Sequence, residues 1–68
     1  MTTVTYSIPN IHCGHCVHTI QSEVSELAGV RSVIANQETR QATITFESPA
    51  TEEQIKELLS SINYPVAN

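Results

Sequence analysis

The spacing of apolar residues predicts an α+β fold class, a ferredoxin-like βαββαβ sandwich with two helices on one face of a four-stranded antiparallel sheet. Residues 4–8 and 42–46 alternate apolar and polar side chains, with the period of two typical of half-buried strands. Residues 15–28 and 55–62 repeat apolar side chains at spacings of three and four, the period of an amphipathic helix. A chain of 68 residues holds one hydrophobic core, so residues 1–68 are predicted to form a single domain.

The first half of the chain predicts a strand, a helix and a second strand. Residues 4–8 belong to the first strand, and Pro9-Asn10 ends it and opens a loop. A helix follows from about residue 15 to 28, and Gly29 stands where a left-handed C-terminal cap is expected. The second strand is predicted from about residue 30 to 36. The apolar face of the helix consists of Val17, Ile20, Val24, Leu27 and Ala28.

The second half predicts a hairpin, a second helix and one more strand. Residues 36–40 are polar and fit the hairpin loop before the alternating third strand. Thr51 and Gln54 match a capping box, which places the start of the second helix there. Asn63 is a candidate left-handed stop for this helix, and Tyr64-Pro65-Val66 predicts a short final strand whose proline requires an edge or a strand start.

This order of elements predicts where the loops meet. Both helices have one apolar face, so both should cover the same side of the sheet. The other side, rich in threonine, should face solvent. The loop after the first strand would then protrude at one end of the domain, beside the loop that carries Tyr64.

Composition argues against several classes of partner. The chain has three Lys and Arg residues against seven carboxylates, for a net charge of −4. Three scattered cations cannot form a basic patch for nucleic acid or for an anionic membrane surface. The apolar runs are too short to span a bilayer, and the N-terminus lacks the pattern of a signal peptide. These features predict a cytoplasmic protein.

The two cysteines are the most informative residues for function. Cys13 and Cys16 form a Cys-x-x-Cys (CxxC) pair at the predicted start of the first helix, where negative charge and hence the thiolate are favoured. Thiolates select soft ions such as Cu(I) and also bind Zn(II). In a reducing cytosol such a pair indicates a metal site or a dithiol redox pair.

The number of sulfurs favours a carrier over a structural site. Two thiolates satisfy Cu(I), whereas a structural zinc or iron–sulfur site normally needs four protein ligands. An under-coordinated ion on an exposed loop can accept a thiolate from a partner before the first ligands leave. Gly14 gives the loop the backbone freedom to turn both sulfurs toward one ion.

The run Ile11-His12-Cys13-Gly14-His15-Cys16-Val17 resembles the metal loop of the heavy-metal-associated (HMA) domain. This is the fold of bacterial copper chaperones and of the N-terminal modules of copper-transporting P-type ATPases, with the pattern Met-x-Cys-x-x-Cys after the first strand. The resemblance extends over essentially the whole chain, through the Gly29-Val30 turn, the strand of residues 42–46 and the Asn63-Tyr64 step.

The resemblance implies roles for individual residues. Cys13 and Cys16 would be the metal ligands, with Cys13 more exposed and Cys16 more sheltered. Tyr64 would lie close to the metal loop. Ile11 stands where the family has methionine, which generally packs beneath the loop, and it keeps the apolar volume there. The implied function is a soluble Cu(I) metallochaperone, not an enzyme, that delivers its ion to a P-type ATPase or its N-terminal module by thiolate exchange.

Several alternatives stay open at this point. His12 and His15 are solvated side chains, supplementary ligands or bridges in a metal-linked homodimer. The same fold could carry Zn(II), cadmium or mercury in place of Cu(I), and the thiols could instead serve a dithiol–disulfide redox protein. The chain could also be a module of a larger transporter, although a start at Met1 favours a free-standing chaperone.

Overall fold

The computed structural model describes residues 1–67 and confirms the predicted fold class. Its three strands form one antiparallel sheet in the order β1-β3-β2, so the third strand lies in the middle. The two helices occur at the predicted places in the chain. The elements are β1 (Thr2–Ser7), α1 (Gly14–Ser25), β2 (Val30–Asn36), β3 (Gln41–Phe46) and α2 (Glu52–Ser61).

The two faces of the sheet differ as their alternation predicts. On the solvent face, the hydroxyls of Thr3 and Thr45 lie 3.1 Å apart, and those of Thr5 and Thr43 lie 3.3 Å apart. Such cross-strand pairs stabilise the pairing of β1 with β3. The opposite face is buried under the helices. The buried core residues of the domain are Tyr6, Ile8, Ile11, Cys16, Ile20, Val24, Ala35, Ala42, Ile44, Phe46, Ala50, Ile55 and Leu59.

The capping box predicted for α2 is present, whereas α1 is shorter than expected and ends at a right-handed cap, Glu26, instead of at Gly29. The hydroxyl of Thr51 accepts from the Gln54 backbone N–H at 3.2 Å, and the Gln54 side chain accepts from the Thr51 N–H at 3.3 Å. Helix α1 ends at Ser25, not at residue 28. The next residues bond three positions back, with Leu27 N 3.1 Å from Val24 O, so the chain tightens into a turn there.

The expected fourth strand is the one element of the predicted sheet that the described residues do not form. Residues 64–67 have no regular secondary structure, although the Ala67 N–H donates to the Ser7 carbonyl at 2.8 Å. Pro65 lies in this segment and has no N–H to donate, which limits ladder formation. The C-terminal segment therefore reaches β1 through a single backbone bond between described residues, and the sheet has three strands within residues 1–67.

Within residues 1–67, neither helix combines the length and the apolar character needed to cross a membrane.

Replacement of Gly29 by alanine should destabilise the fold strongly. Gly29 has φ +98°, a left-handed backbone in the turn between α1 and β2, and a Cβ there would lie 2.3 Å from the Glu47 carbonyl oxygen. Strain at this φ and overlap with backbone should cost about 2 kcal/mol or more in the free energy of unfolding. Chemical denaturation of Gly29→Ala measures this.

Gly14→Ala is the matched control for that substitution. A Cβ at Gly14 meets nothing closer than the Gln37 side-chain oxygen at 3.5 Å, an ordinary contact. Its free energy of unfolding should stay near that of the unmodified chain, and equal losses in the two variants would contradict the account.

Candidate metal centre

The loop between β1 and α1 is anchored by apolar side chains beneath it. Ile8 and Ile11 are both fully buried, and the Ile11 N–H donates to the Ile8 carbonyl at 3.1 Å to close a turn. Ile11 packs into the core beneath the loop, which is the position that the resemblance implies. Burial of Ile11 fixes the backbone of the residues that follow, so His12 and Cys13 stand above the core.

The two cysteines lie together where α1 begins. Cys13 is the N-terminal cap residue with extended backbone, and its carbonyl accepts from the Cys16 N–H at 3.1 Å. The two Sγ atoms are 3.5 Å apart, and both cysteines are free thiols. Cys13 is half-buried and Cys16 is buried, which is the order of exposure that the resemblance implies. Both sulfurs thus reach one point at the surface end of the helix.

The segment after α2 brings Tyr64 to the same place. Asn63 has φ +70°, the left-handed stop that the sequence predicts, and the Tyr64 N–H donates to the Leu59 carbonyl at 2.8 Å. The Tyr64 hydroxyl hydrogen-bonds the Cys16 sulfur. Tyr64 therefore lies beside the loop that carries the two cysteines.

Hydrogen bonds to Cys16 favour its thiolate. The pKa of Cys16 falls from an ordinary value of 9.0 to about 7, mainly through the hydrogen bond from Tyr64, with further contributions from the His12 backbone and from Cys13. The same bond raises the pKa of the Tyr64 hydroxyl, because a phenol that donates to a thiolate holds its proton more firmly. A nucleophilic, metal-binding form of Cys16 is thereby present near neutral pH.

Asn10 connects the loop of the cysteines to the segment after α2, a role that no pattern in the sequence predicts. Its side-chain Nδ2 donates to the Asn63 carbonyl at 2.7 Å, immediately before Tyr64. Its own carbonyl accepts from Nδ1 of His12 at 2.8 Å. Asn10 thus joins the loop of the cysteines to the segment of the tyrosine. An asparagine after a proline is an ordinary loop residue, so only the contacts themselves identify it.

The structure shows that His12 and His15, both candidate ligands from the sequence, differ in their distance from the two sulfurs. The nitrogen of His12 and the sulfurs of Cys13 and Cys16 all lie within 4.8 Å of one another. His15 and His18 are exposed on α1 and do not belong to this group. The cluster found among residues 1–67 offers two sulfurs and one imidazole without a carboxylate, a donor set that suits soft ions and disfavours Mg²⁺ or Ca²⁺.

Comparison with known proteins agrees with this arrangement. The profile of the family described as "Heavy-metal-associated domain" matches residues 5–65. A COP-associated protein of Helicobacter pylori strain J99 is 41% identical over 56 residues, which cover 82% of this chain and 85% of that protein.

The chain is also similar to a protein named for mercuric transport and to a protein of known crystal structure. A mercuric transport protein periplasmic component of Pseudomonas aeruginosa is 38% identical over 64 residues, 93% of this chain and 70% of that protein. The crystal structure of oxidized MerP from Ralstonia metallidurans CH34 superposes with a TM-score of 0.89 at 31% identity, over 98% of this chain and 97% of that one.

Removal of the Tyr64 hydroxyl should raise the pKa of Cys16. In Tyr64→Phe the largest contribution that lowers this pKa is lost, so the value should move from about 7 toward 9.0. The ultraviolet absorbance of the thiolate, followed against pH in the reduced protein, measures the shift. Tyr6→Phe is the control, since the Tyr6 hydroxyl donates to Glu52 at 3.0 Å and does not contact the loop. An unchanged Cys16 pKa in Tyr64→Phe would contradict the assignment.

The lowered pKa also gives the reduced, metal-free protein a pH-dependent stability. A thiol whose pKa is lower in the folded chain stabilises the fold fully above its unfolded pKa, and this stabilisation is lost as the pH falls through about 7. The free energy of unfolding should therefore rise between pH values of about 7 and 9 in the unmodified chain relative to Cys16→Ser. Parallel pH profiles for the two proteins would show that the fold does not favour the thiolate.

Proposed function

The chain belongs to the heavy-metal-associated domain family, and from this membership and the geometry of its metal loop we propose that it is a metallochaperone for Cu(I). Cys13 and Cys16 hold the ion, and a P-type metal-transporting ATPase, or the N-terminal metal-binding module of one, receives it. The observation that carries the proposal is the 3.5 Å separation of two free thiols at one exposed helix start.

The chemistry of the sulfurs favours a soft, closed-shell ion. Two thiolates satisfy Cu(I), whereas Zn(II) seeks four ligands in a tetrahedron. The hydrogen bond from Tyr64 supports a thiolate at Cys16 near neutral pH, so the apo-protein can take up an ion without a strong base. The carrier needs no catalytic residue, because each step is an exchange of one metal ligand for another.

The different exposure of the sulfurs supports an order of exchange. Cys13 is the half-buried cysteine, so an incoming thiolate of the ATPase meets the ion from its side. Cys16 is buried, is held in the first turn of α1 and accepts the hydrogen bond from Tyr64, so it releases the ion last. Gly14 is exposed between them as the first residue of α1, where its lack of a side chain lets the first turn of the helix open as the bonds change.

We place the carrier in the cytoplasm, where thiols stay reduced. A net charge of −4 would favour docking to a positive face of the ATPase module, and faces of opposite sign speed encounter more than they add affinity.

A mercuric ion carrier is the second candidate, and a specific comparison favours it. The mercuric transport relative matches 93% of this chain, and Hg(II) shares with Cu(I) a preference for thiolates. Competition between Cu(I), Hg(II) and Zn(II) for the reduced protein, followed by metal analysis of the purified protein from cells, separates the candidates.

Substitution of either cysteine should abolish tight Cu(I) binding. Titration with Cu(I) against a competing chelator should show a loss of at least about 100-fold in affinity for Cys13→Ser and for Cys16→Ser, since each variant keeps only one thiolate. His18→Ala is the control, because His18 is exposed on α1 outside the ligand cluster. Undiminished binding in Cys13→Ser would remove the proposal.

Bound Cu(I) should raise the melting temperature of the reduced protein. The unfolded chain does not preform the site, so an ion at about 100 times its Kd should add about 2.7 kcal/mol to the free energy of unfolding. For a domain of this size that corresponds to a rise of at least about 10 °C in Tm. The Cys13→Ser/Cys16→Ser double variant should show no rise, and an equal rise in both proteins would indicate non-specific binding.

A further inference from the structure

His12 distinguishes this metal loop from a simple pair of thiols. Its Nδ1 lies 3.7 Å from the Sγ of Cys16, and its nitrogen belongs with both sulfurs to one group within 4.8 Å. The side chain is exposed and sits directly before Cys13. The imidazole thus lies beside the cysteines on the solvent side of the loop.

The distance from His12 to Cys16 suits an ion that both residues bind. With bonds of about 2.3 Å to sulfur and 2.0 Å to nitrogen, a trigonal or tetrahedral ion separates its nitrogen and sulfur ligands by roughly 3.5–3.7 Å. The observed distance from Nδ1 to the Cys16 Sγ, 3.7 Å, falls in that range.

The sulfurs also need less movement for a bent site than for a linear one. A bent site requires sulfurs roughly 3.8–4.0 Å apart, and a linear one with the same bonds roughly 4.6 Å. The observed separation of 3.5 Å is nearer to the bent arrangement.

The hydrogen bond to Asn10 holds the ring near the cysteines in the metal-free protein, and the ring must turn away from that carbonyl to bind an ion through Nδ1. Nδ1 lies 2.8 Å from the Asn10 carbonyl, so in the metal-free protein Nδ1 carries the hydrogen and donates it. When Nδ1 binds an ion, this hydrogen is lost to solvent and the exposed Nε2 takes up one, which is the other neutral tautomer. The Asn10 carbonyl holds the ring beside Cys16 until that exchange.

The other side chains near the sulfurs are poorer third ligands. Tyr64 donates its hydroxyl hydrogen to the Cys16 sulfur, so it acts as a hydrogen-bond donor to a ligand. His15 is exposed and lies outside the cluster of described ligand atoms. Among residues 1–67, His12 alone adds a nitrogen to the two thiolates.

We propose that His12 is a third metal ligand, which converts the cysteine pair into a trigonal site of two sulfurs and one nitrogen and extends its cargo to soft divalent ions such as Zn(II). This inference rests on the proposed function, because it adds a ligand to the same cysteines. A third ligand matters more for Zn(II), which two thiolates leave under-coordinated, than for Cu(I), which they satisfy. His12 therefore sets the selectivity between the two ions.

The experiment compares His12→Ala, His12→Asn and His15→Ala in the full chain, with Zn(II) and Cu(I) as probes. Asparagine places an amide N–H near the position of Nδ1, so it can still donate to the Asn10 carbonyl but offers no imidazole. His15→Ala removes a neighbouring exposed histidine that lies outside the cluster. Competition titrations give both affinities, and X-ray absorption of the zinc-loaded protein gives the number of sulfur and nitrogen neighbours.

We expect both His12 variants to raise the selectivity for Cu(I) over Zn(II) by at least about tenfold and to lose one nitrogen neighbour of zinc, while His15→Ala changes neither. A His12→Asn variant with the zinc affinity of the unmodified chain would overturn the inference, since His12 would then act only through its hydrogen bond. Unchanged zinc affinity in His12→Ala would overturn it as well.

The proposed function fails separately from this inference. Cys13→Ser and Cys16→Ser report on the cysteine site itself. If they abolish Cu(I) binding while the His12 variants leave the zinc site intact, the carrier function stands and the ligand role of His12 is wrong. If the cysteine variants bind as tightly as the unmodified chain, both proposals are wrong.

Discussion

The attachment of the metal loop to the hydrophobic core is the constraint on which the rest of the site depends. Ile11 and Cys16 are both buried, on either side of Cys13, so the chain between them must bulge toward solvent. This fixes where α1 begins and keeps the sulfurs 3.5 Å apart. The same residues are therefore part of the core and part of the site. A change that loosens the packing under the loop should change how the sulfurs meet an ion before it changes the fold.

The site also depends on contact between two segments that are distant in sequence. Asn10 bonds the Asn63 carbonyl, and Tyr64 follows to bond Cys16, so the end of α2 supports the loop that begins α1. These are polar contacts on an exposed end of the domain, and they can break and reform more easily than the packed core beneath them. A carrier needs both properties: a packed core that holds the site in place, and polar contacts at the surface that break when a partner's thiolate approaches.

Much of this could be predicted from the sequence, for physical reasons that differ from residue to residue. The strands and helices are predicted by the spacing of the apolar residues. The candidate metal site is predicted by the affinity of thiolates for soft ions and by the position of the two cysteines at the start of a helix. Gly29 and Asn63 were predictable because few residues tolerate a left-handed backbone. The early end of α1 was not, because a local turn with bonds three residues back replaces the last helical turn. The missing ladder at residues 64–67 was not, because it depends on contacts with the distant strand β1. Likewise, His12 and His15 each directly precede a cysteine in sequence, and only the fold shows that His12 joins the sulfurs in one group.

The metal content of the protein isolated from cells under reducing conditions tests the central claim most directly. Native mass spectrometry before and after alkylation of the two thiols reports both the ion and its ligands. The account predicts a single soft ion per chain, copper above all, that is released when Cys13 and Cys16 are alkylated. A chain that emerges without a soft metal, or that keeps its metal after both sulfurs are blocked, would contradict it.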